Sequence, residues 1–307
     1  MAEDQQIQVT VVGSSNVDIT ALMNRLPGPG ETVLADSYQL TPGGKGANQA
    51  LAAQLAGAQT EFIGAVGEDE HSAIALGQME TAGVQLGRVI RSQEPTGVAI
   101  ISVDSHAENS IAVVSGANAS VDAAAVRNAG ELHGVLVLQG EIPAAGITAA
   151  IAAAKDRVVL NLAPVITLQR GDFLAANPLV VNEHEAFEAL KQLDAAAAEG
   201  LEENYEQLAR QLLAQGIGSV VITLGGAGCL VAEMDAAGQA QLSQVAAMKV
   251  NAVDTTGAGD AFTGALAAHL AAGETLSEAA DFANRFAAYT VQHPGAQASY
   301  PRDLSQL

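Results

Sequence analysis

Short, continuous apolar runs alternate with longer stretches rich in alanine and leucine along most of the chain. Unbroken apolar runs of this length are typical of parallel strands buried on both faces, and the longer stretches have the length and composition of helices. The runs are IQVTVVG, EFIGAVG, GVLVLQG, RVVLNLAP, PLVVNEHE and SVVITLGG, and helices are predicted over 45–57, 71–82, 143–154, 184–193 and 203–215. The pattern predicts an α/β fold with a central, mainly parallel and twisted β-sheet flanked by helices on both faces.

Two regions interrupt this rhythm with runs that resemble exposed, alternating strands. They are residues 16–23 with 31–40, and residues 96–103 with 109–114, where the intervening VDSHAENS indicates a hairpin. Strands inserted into an α/β chain favour a small β-sheet lid near the open strand ends, where ligands bind in such folds. We therefore predict a single domain over 1–307 that carries this lid.

Composition narrows the possible partners and the compartment. The net charge of −21, with 13 lysines and arginines, argues against a nucleic-acid surface, which needs clustered basic residues. The acidic N-terminus and the short apolar runs resemble neither a secretory signal nor a membrane span, so a cytoplasmic protein without a membrane partner is expected. Cys229 is the single cysteine, lies in an apolar stretch and is expected to be buried.

The glycine-rich stretch PGGKGANQ at 42–49 suggests a phosphate loop, but it fails the known patterns. A P-loop needs glycine where Gln39 stands and serine or threonine where Gly46 follows Lys45. In the later stretch GAGDAFTG, Phe262 occupies the third glycine position of the dinucleotide-binding pattern. Neither a P-loop NTPase nor a Rossmann dehydrogenase is supported.

A second glycine-rich junction, TTGAGD, opens a predicted helix near Gly257–Gly259. Its small residues leave the N–H groups of Gly257, Ala258, Gly259 and Asp260 accessible to an anion at the positive end of the helix dipole. Asp260 has two interpretations at this point. It either complements the dipole as a structural residue or acts as a general base beside an anion hole.

Six motifs in order along the chain resemble the ribokinase-like, or PfkB, family of sugar kinases. They are GSSNVD, TPGGKGANQA, NEHE, ITLGGAG, DTTGAGDAFTGAL and GAQAS, and the form GGKGANQ is that of the ribose-specific members. The resemblance implies a transferase that phosphorylates D-ribose at O5 with ATP, giving D-ribose 5-phosphate and ADP. Two alternatives stay open: a kinase of the same family for fructose, deoxyribose or adenosine, and a non-catalytic sugar-binding regulator on the same fold.

The resemblance also implies roles for individual residues. Asp260 would be the catalytic base, with the amides of Gly257, Ala258 and Gly259 and its own as the anion hole. The sugar would contact Asn16, Asp18, Gly44, Lys45, Asn48, Glu141 and Asp260. Lys45 belongs to this acceptor side, and the phosphates would be held by amides without a lysine. The nucleotide would contact Asn182, Thr223, Gly225, Gly228, Gly259 and Asn284.

Two cations and a second subunit complete the implied assembly. Glu185 would organise Mg²⁺, largely through water, and a K⁺ activator would lie near the anion hole. The implied K⁺ ligands are Asp254, Thr256, Thr290, His293, Gly295 and Ser299, with Thr290 and His293 contributing backbone carbonyls. The family resemblance further implies a homodimer formed through the β lid.

Overall fold

Fourteen strands build the sheets of the structure, a computed structural model that describes residues 6–106 and 108–307. In chain order the strands are β1 (Val9–Val12), β2 (Asn16–Leu22), β3 (Ser37–Gly43), β4 (Thr60–Ile63), β5 (Ala65–Gly67), β6 (Ile90–Ser92), β7 (Gly97–Val103), β8 (Asn109–Val114), β9 (Val135–Gln139), β10 (Val158–Asn161), β11 (Ala176–Asn182), β12 (Ser219–Thr223), β13 (Cys229–Met234) and β14 (Ala240–Val245). The α-helices are α1 (Lys45–Leu55), α2 (His71–Ala82), α3 (Ala123–Ala129), α4 (Ala144–Ala153), α5 (Arg170–Ala175), α6 (Glu183–Leu193), α7 (Ala195–Ala198), α8 (Tyr205–Ala214), α9 (Ala258–Ala271) and α10 (Leu276–Thr290).

Eight strands form the central sheet in the order β14-β13-β12-β11-β10-β9-β1-β4. All neighbours from β12 to β4 are parallel, whereas β13 and β14 pair antiparallel at one edge. The predicted mainly parallel α/β fold is thereby confirmed. None of the helices in the described ranges has the length and apolar character needed to cross a bilayer.

Successive residues of the central strands supply two separate apolar layers. Val137 and Val159 pack in one layer with α1, α9 and α10, while Leu138 and Leu160 pack in the other with α4, α6 and α8. Because both faces are covered, each strand has to be apolar along its whole length. This explains the unbroken apolar runs in the sequence.

A second, four-stranded sheet with the order β3-β2-β7-β8 stands off the central one, and we call it the lid sheet. Strand β2 begins after the short Gly13–Ser15 connection from β1, and β3 leads through Gly44 into α1. Strand β3 starts later than the predicted 31–40, because its pairing with β2 begins at Leu22 and Ser37. Both connections place the lid sheet at the carboxyl end of β1.

Candidate active site

Helices α1 and α9 bring the predicted sugar motif and the predicted catalytic carboxylate together. Gly264 on α9 makes the close approach possible, since a Cβ there would lie 2.3 Å from the carbonyl oxygen of Gln49 on α1. The helix α9 starts after Gly257, whose φ of 72° lies in the left-handed region that favours glycine. Asp260 therefore points from the first turn of α9 toward the start of α1.

Two amide side chains of α1 hold the Asp260 carboxylate. Asn48 Nδ2 donates to Asp260 Oδ2 over 2.9 Å, and Gln49 Nε2 donates to Asp260 Oδ1 over 2.9 Å. Asp260 is only 6% exposed, so these hydrogen bonds replace most of its hydration. The geometry therefore fixes the orientation of the carboxylate before any ligand arrives.

The first turn of α9 offers fewer free amides than the four predicted at 257–260. Ala258 N donates to Thr255 O over 3.2 Å, because Gly257 closes a turn between these two residues. In the described part of the chain, the N–H groups of Gly257, Gly259 and Asp260 have no protein acceptor. Three of the four amides of the predicted anion hole are therefore unpaired, whereas the amide of Ala258 is engaged by Thr255 O.

Three cavities lie near the carboxyl end of the central sheet, and the second and third share Thr223, Thr255 and Gly259. The first, of about 400 Å³, is lined by residues including Asn16, Asn118 and Glu141. The second, of about 250 Å³, is lined by Lys45, Asn161, Asn182, Glu185, Thr223, Gly257, Gly259, Asp260 and Thr263 among others. The third, of about 420 Å³, is mostly apolar and is lined by Thr223, Gly225, Gly228, Gly259, Phe262 and Asn284 among others. We call them the sugar, phosphate and nucleotide cavities.

The sugar cavity presents both donors and acceptors. Asn118 Nδ2 donates to Asn16 Oδ1 over 2.7 Å, which leaves the Asn16 amino group free to donate. Glu141 accepts from Lys45 N over 3.0 Å and from the Ser14 hydroxyl, so the positive end of α1 faces this carboxylate. These side chains suit a polyhydroxylated ligand.

Asp18 lies beside this cavity among other acids. Burial, followed by the nearby Glu141 and Asp260 carboxylates, raises the pKa of Asp18 to about 6, although Lys45 opposes the shift. A Cβ at Gly43 would lie 2.2 Å from Asp18 Oδ1, so the side chain packs directly against the glycine pair before α1. The carboxyl group of Asp18 therefore titrates close to neutral pH.

Lys45 lies where the predicted acceptor side meets the predicted nucleotide residues. Its side chain lines the phosphate cavity together with Asn182 and Glu185. Asp260 is the main cause of a raised pKa of the Lys45 ammonium, which keeps this group charged. The assignment of Lys45 to the acceptor side stays a prediction, and this placement motivates a role at the phosphates in addition.

The other predicted nucleotide residues also come together. Asn182 caps α6 by accepting from Glu185 N over 2.8 Å, and Glu185 Oε2 accepts from Asn182 N over 2.8 Å. This reciprocal pair fixes both side chains where they line the phosphate cavity. Asn284 donates to Val245 O over 3.1 Å from the far wall of the nucleotide cavity.

The predicted K⁺ ligands lie on two segments that touch, the loop before α9 and the end of α10 with the loop that follows it. Asp254 accepts from Thr256 N over 2.9 Å and from Gly295 N over 2.8 Å, which joins the loop before α9 to the loop after α10. The side chain of His293 stacks on Tyr289, while the hydroxyls of Thr290 and Ser299 donate to the backbone carbonyls of Phe286 and Ala296. Carboxylate and backbone oxygens of these loops have the chemistry that a hard cation prefers.

Cys229 is buried as expected, and burial raises the pKa of its thiol to about 12.

The sequence reasoning missed several amide side chains of the site. Asn118 lies at the sugar cavity, and the amides near Asp260 are those of Gln49, Gln139, Asn161 and Gln297. A signal was present for two of them. Gln139 and Asn161 are polar residues at the ends of otherwise apolar strands, where a buried side chain needs a specific partner.

Comparison with known proteins gives consistent results. The sequence matches the family described as pfkB family carbohydrate kinase over residues 6–303. The ribokinase of Schizosaccharomyces pombe is 37% identical over 309 residues, covering 96% of this chain and 95% of that protein.

Solved structures agree. The ribokinase from Thermotoga maritima aligns with a TM-score of 0.86 and 32% identity over 98% of both chains. The Arabidopsis thaliana ribokinase complexed with ribose and ATP aligns with a TM-score of 0.82 and 31% identity, covering 98% of this chain and 97% of that chain. The resemblance predicted from six motifs is confirmed, and the chain belongs to the pfkB family of carbohydrate kinases.

Proposed function

We propose that this protein transfers the γ-phosphoryl group of ATP to O5 of D-ribose, giving D-ribose 5-phosphate and ADP. The observation that carries the proposal is the buried Asp260 carboxylate, which lines the phosphate cavity beside unpaired amides and Lys45. The similar proteins from S. pombe and A. thaliana are ribokinases, the second of them complexed with ribose and ATP, which supports ribose as the acceptor.

Asp260 acts as the general base in this proposal. It takes the proton of the ribose 5-hydroxyl while that oxygen forms a bond to the γ-phosphorus. The bond from the γ-phosphorus to the bridging oxygen breaks at the same time, and ADP leaves with that electron pair. Asp260 then returns its proton to the solvent.

Charge on the transferring phosphoryl oxygens is balanced from two sides. The free amides of Gly257, Gly259 and Asp260 face it from α9, and the Lys45 ammonium faces it from α1. Lys45 thus contributes to the binding of both substrates. Its backbone N–H orients Glu141 in the sugar cavity, whereas its side chain reaches the phosphates.

Asn16 and Glu141 line the sugar cavity, Asn182 lines the phosphate cavity, and the nucleotide cavity is lined by Thr223, Gly225, Gly228, Gly259 and Asn284. The ribose hydroxyls would contact Asn16, Asp18, Gly44, Asn48 and Glu141, and the nucleotide would contact Asn182, Thr223, Gly225, Gly228, Gly259 and Asn284. Mg²⁺, when bound with ATP, neutralises phosphate charge. Glu185 would hold it through water, since Oε2 is engaged by Asn182 N and Oε1 has no protein partner in the described ranges.

A potassium ion and a second subunit belong to the same proposal. K⁺ would bind oxygens of Asp254, Thr256, Thr290, His293, Gly295 and Ser299, and would fix the loop that presents the free amides. The homodimer would form through the lid sheet, whose apolar side chains include the exposed Ile100 and Val114. We also infer a cytoplasmic location, because the reaction consumes ATP.

The proposal is tested by an ADP-release assay with ribose, deoxyribose, fructose and adenosine, each measured in potassium and in sodium salt. We expect the highest kcat/KM with ribose, one sugar phosphate per ADP, and a lower rate in sodium. A higher kcat/KM with another acceptor would reassign the enzyme to a related sugar or nucleoside kinase. Ribose binding without ADP release would support a non-catalytic regulator instead. Equal rates in the two salts would remove potassium from the proposal.

A further inference from the structure

A chain of buried amide side chains lies behind Asp260, on the side away from the nucleotide. Gln49, which donates to Asp260, also donates through Nε2 to Asn161 Oδ1 over 2.9 Å. Its own carbonyl oxygen Oε1 accepts from Gln139 Nε2 over 2.8 Å. Gln49 and Gln139 have no exposed surface, and Asn161 is 7% exposed. Gln49 is therefore fixed from two central strands at once.

Asn48 is held in a parallel way. Its Oδ1 accepts from Gln297 Nε2 over 2.9 Å, and its Nδ2 donates to Asp260 Oδ2. Gln297 comes from the loop after α10 and is 1% exposed. The two neighbouring amides of α1 are thus each anchored by a glutamine from a different part of the chain.

The charge of Asp260 decides which way these amides point. An ionised carboxylate only accepts hydrogen bonds, so Asn48 and Gln49 must both present their amino groups to it. Their carbonyl oxygens then face away and require donors, which Gln297 and Gln139 supply. The network has one consistent direction, and that direction fits an ionised Asp260.

We infer that Gln49 is a positioning residue of the phosphoryl transfer, holding Asp260 Oδ1 so that the carboxylate meets the sugar hydroxyl in one orientation. This inference rests on the proposed function, because it takes Asp260 as the base. Gln49 has no contact with the sugar in this scheme, whereas Asn48 has. The two amides consequently differ: Asn48 serves binding and orientation, and Gln49 serves orientation alone.

The first test removes the donor and keeps the size of the side chain. In Gln49→Met we expect kcat to fall about tenfold to a hundredfold, as small displacements of a catalytic group cost that much, while the KM for ribose stays within about threefold. Gln54→Met is the matched control on the same helix, since Gln54 contacts Thr60 N and lies outside the three cavities. Active-site titration corrects both values for any inactive protein.

The second test separates positioning from packing. The carboxyl group introduced by Gln49→Glu can donate to Asp260 only while it is protonated, whereas the methionine side chain donates at no pH. The ratio of kcat for Gln49→Glu to that of the wild type should fall as the pH rises from about 5.5 to about 8.5, while the ratio for Gln49→Met stays constant. The ratio for Gln49→Met cancels the titration of the surrounding groups, which are Asp18, Lys45, Glu141, Glu185 and the neutral Tyr300, because that variant adds no charge.

The outcomes distinguish this inference from the proposed function. A wild-type enzyme that does not phosphorylate ribose would end the proposed function and the inference with it. If the wild type phosphorylates ribose and Gln49→Met keeps more than half of the wild-type kcat, the inference is overturned and the proposed function stands. A Gln49→Glu variant that keeps more than half of the wild-type kcat at the highest pH, with its carboxyl group ionised, would also overturn it, because that group cannot donate to Asp260.

Discussion

At the scale of single residues, the raised pKa of Asp18 gives ribose binding a pH dependence. Below a pKa of about 6 the carboxyl group carries a proton and loses acceptor capacity toward sugar hydroxyls. We expect the affinity for ribose to be constant above neutral pH and to fall about tenfold one unit below that pKa. Calorimetric titration with ribose, without ATP, measures this change.

Asp18→Asn is the control for the pH experiment. Asparagine has no charge to titrate, so the affinity of this variant for ribose should not change with pH. At neutral pH it should bind ribose more weakly than the wild type does. A wild-type affinity that is the same at both ends of the range would remove Asp18 from the sugar site.

Asp260→Asn tests the catalytic base. Asparagine has one carbonyl oxygen, which can accept a hydrogen bond from either Asn48 or Gln49. Its amino group then faces the amino group of the other residue. We expect kcat to fall by a factor of about 10² to 10⁴, because proton abstraction is lost. We expect the affinities for ribose and ATP, measured by calorimetry, to stay within a few-fold of those of the wild type. Retention of most of the wild-type kcat would refute the assignment.

At the scale of elements, the contact between α1 and α9 connects the sugar site with the base. A Cβ at Gly264 would lie 2.3 Å from Gln49 O and 2.6 Å from the Cβ of Ala52, so alanine forces the two helices apart. We expect Gly264→Ala to lower the free energy of unfolding by about 1–3 kcal/mol and to lower kcat, because Asp260 moves away from its two amide donors. Denaturant unfolding and steady-state kinetics measure the two effects.

Gly77 on α2 provides the matched control for that variant. A Cβ at this helical glycine has no neighbour within 4 Å. Gly77→Ala should therefore raise the stability by up to about 1 kcal/mol through helix propensity and leave kcat unchanged. If the two alanine variants behave alike, close helix contact at Gly264 is not what holds the site together.

The same elements show how far the sequence could lead. The glycine motifs predict the starts of α1 and α9, because Gly44 and Gly257 precede these helices with φ of 88° and 72°, a region that favours glycine. The partners of Gln49 are different: Gln139 is 90 residues away and Asn161 is 112 residues away. Side-chain pairs at such separations depend on the packing of whole elements, so only the polar strand ends hint at them.

At the scale of the whole molecule, one face of the lid sheet exposes a row of apolar side chains. Leu40 on β3 and Ile100 on β7 are 39% and 49% exposed, and the partly buried Ile19 on β2 lies directly between them. Val114 on β8 lies on the same face and is 51% exposed. Contiguous exposed apolar surface of this kind is typical of an interaction site. A second copy presents the same face, so the proposed twofold dimer would bury both rows.

Ile100→Arg tests the dimer, because a charge in the middle of the row cannot be buried without a partner. We expect the wild type to sediment as a dimer at micromolar concentration and Ile100→Arg as a monomer. Met234→Arg is the control, since Met234 is 45% exposed but lies on β13, far from the lid sheet in the strand order.

Loss of the dimer should also raise the KM for ribose while leaving ATP binding intact, because the lid sheet carries Asn16 and Asp18, and the nucleotide cavity is built from other strands and helices. A wild type that sediments as a monomer, or an Ile100→Arg variant that sediments as a dimer, would separate the lid sheet from oligomerisation and leave it a role in sugar binding alone.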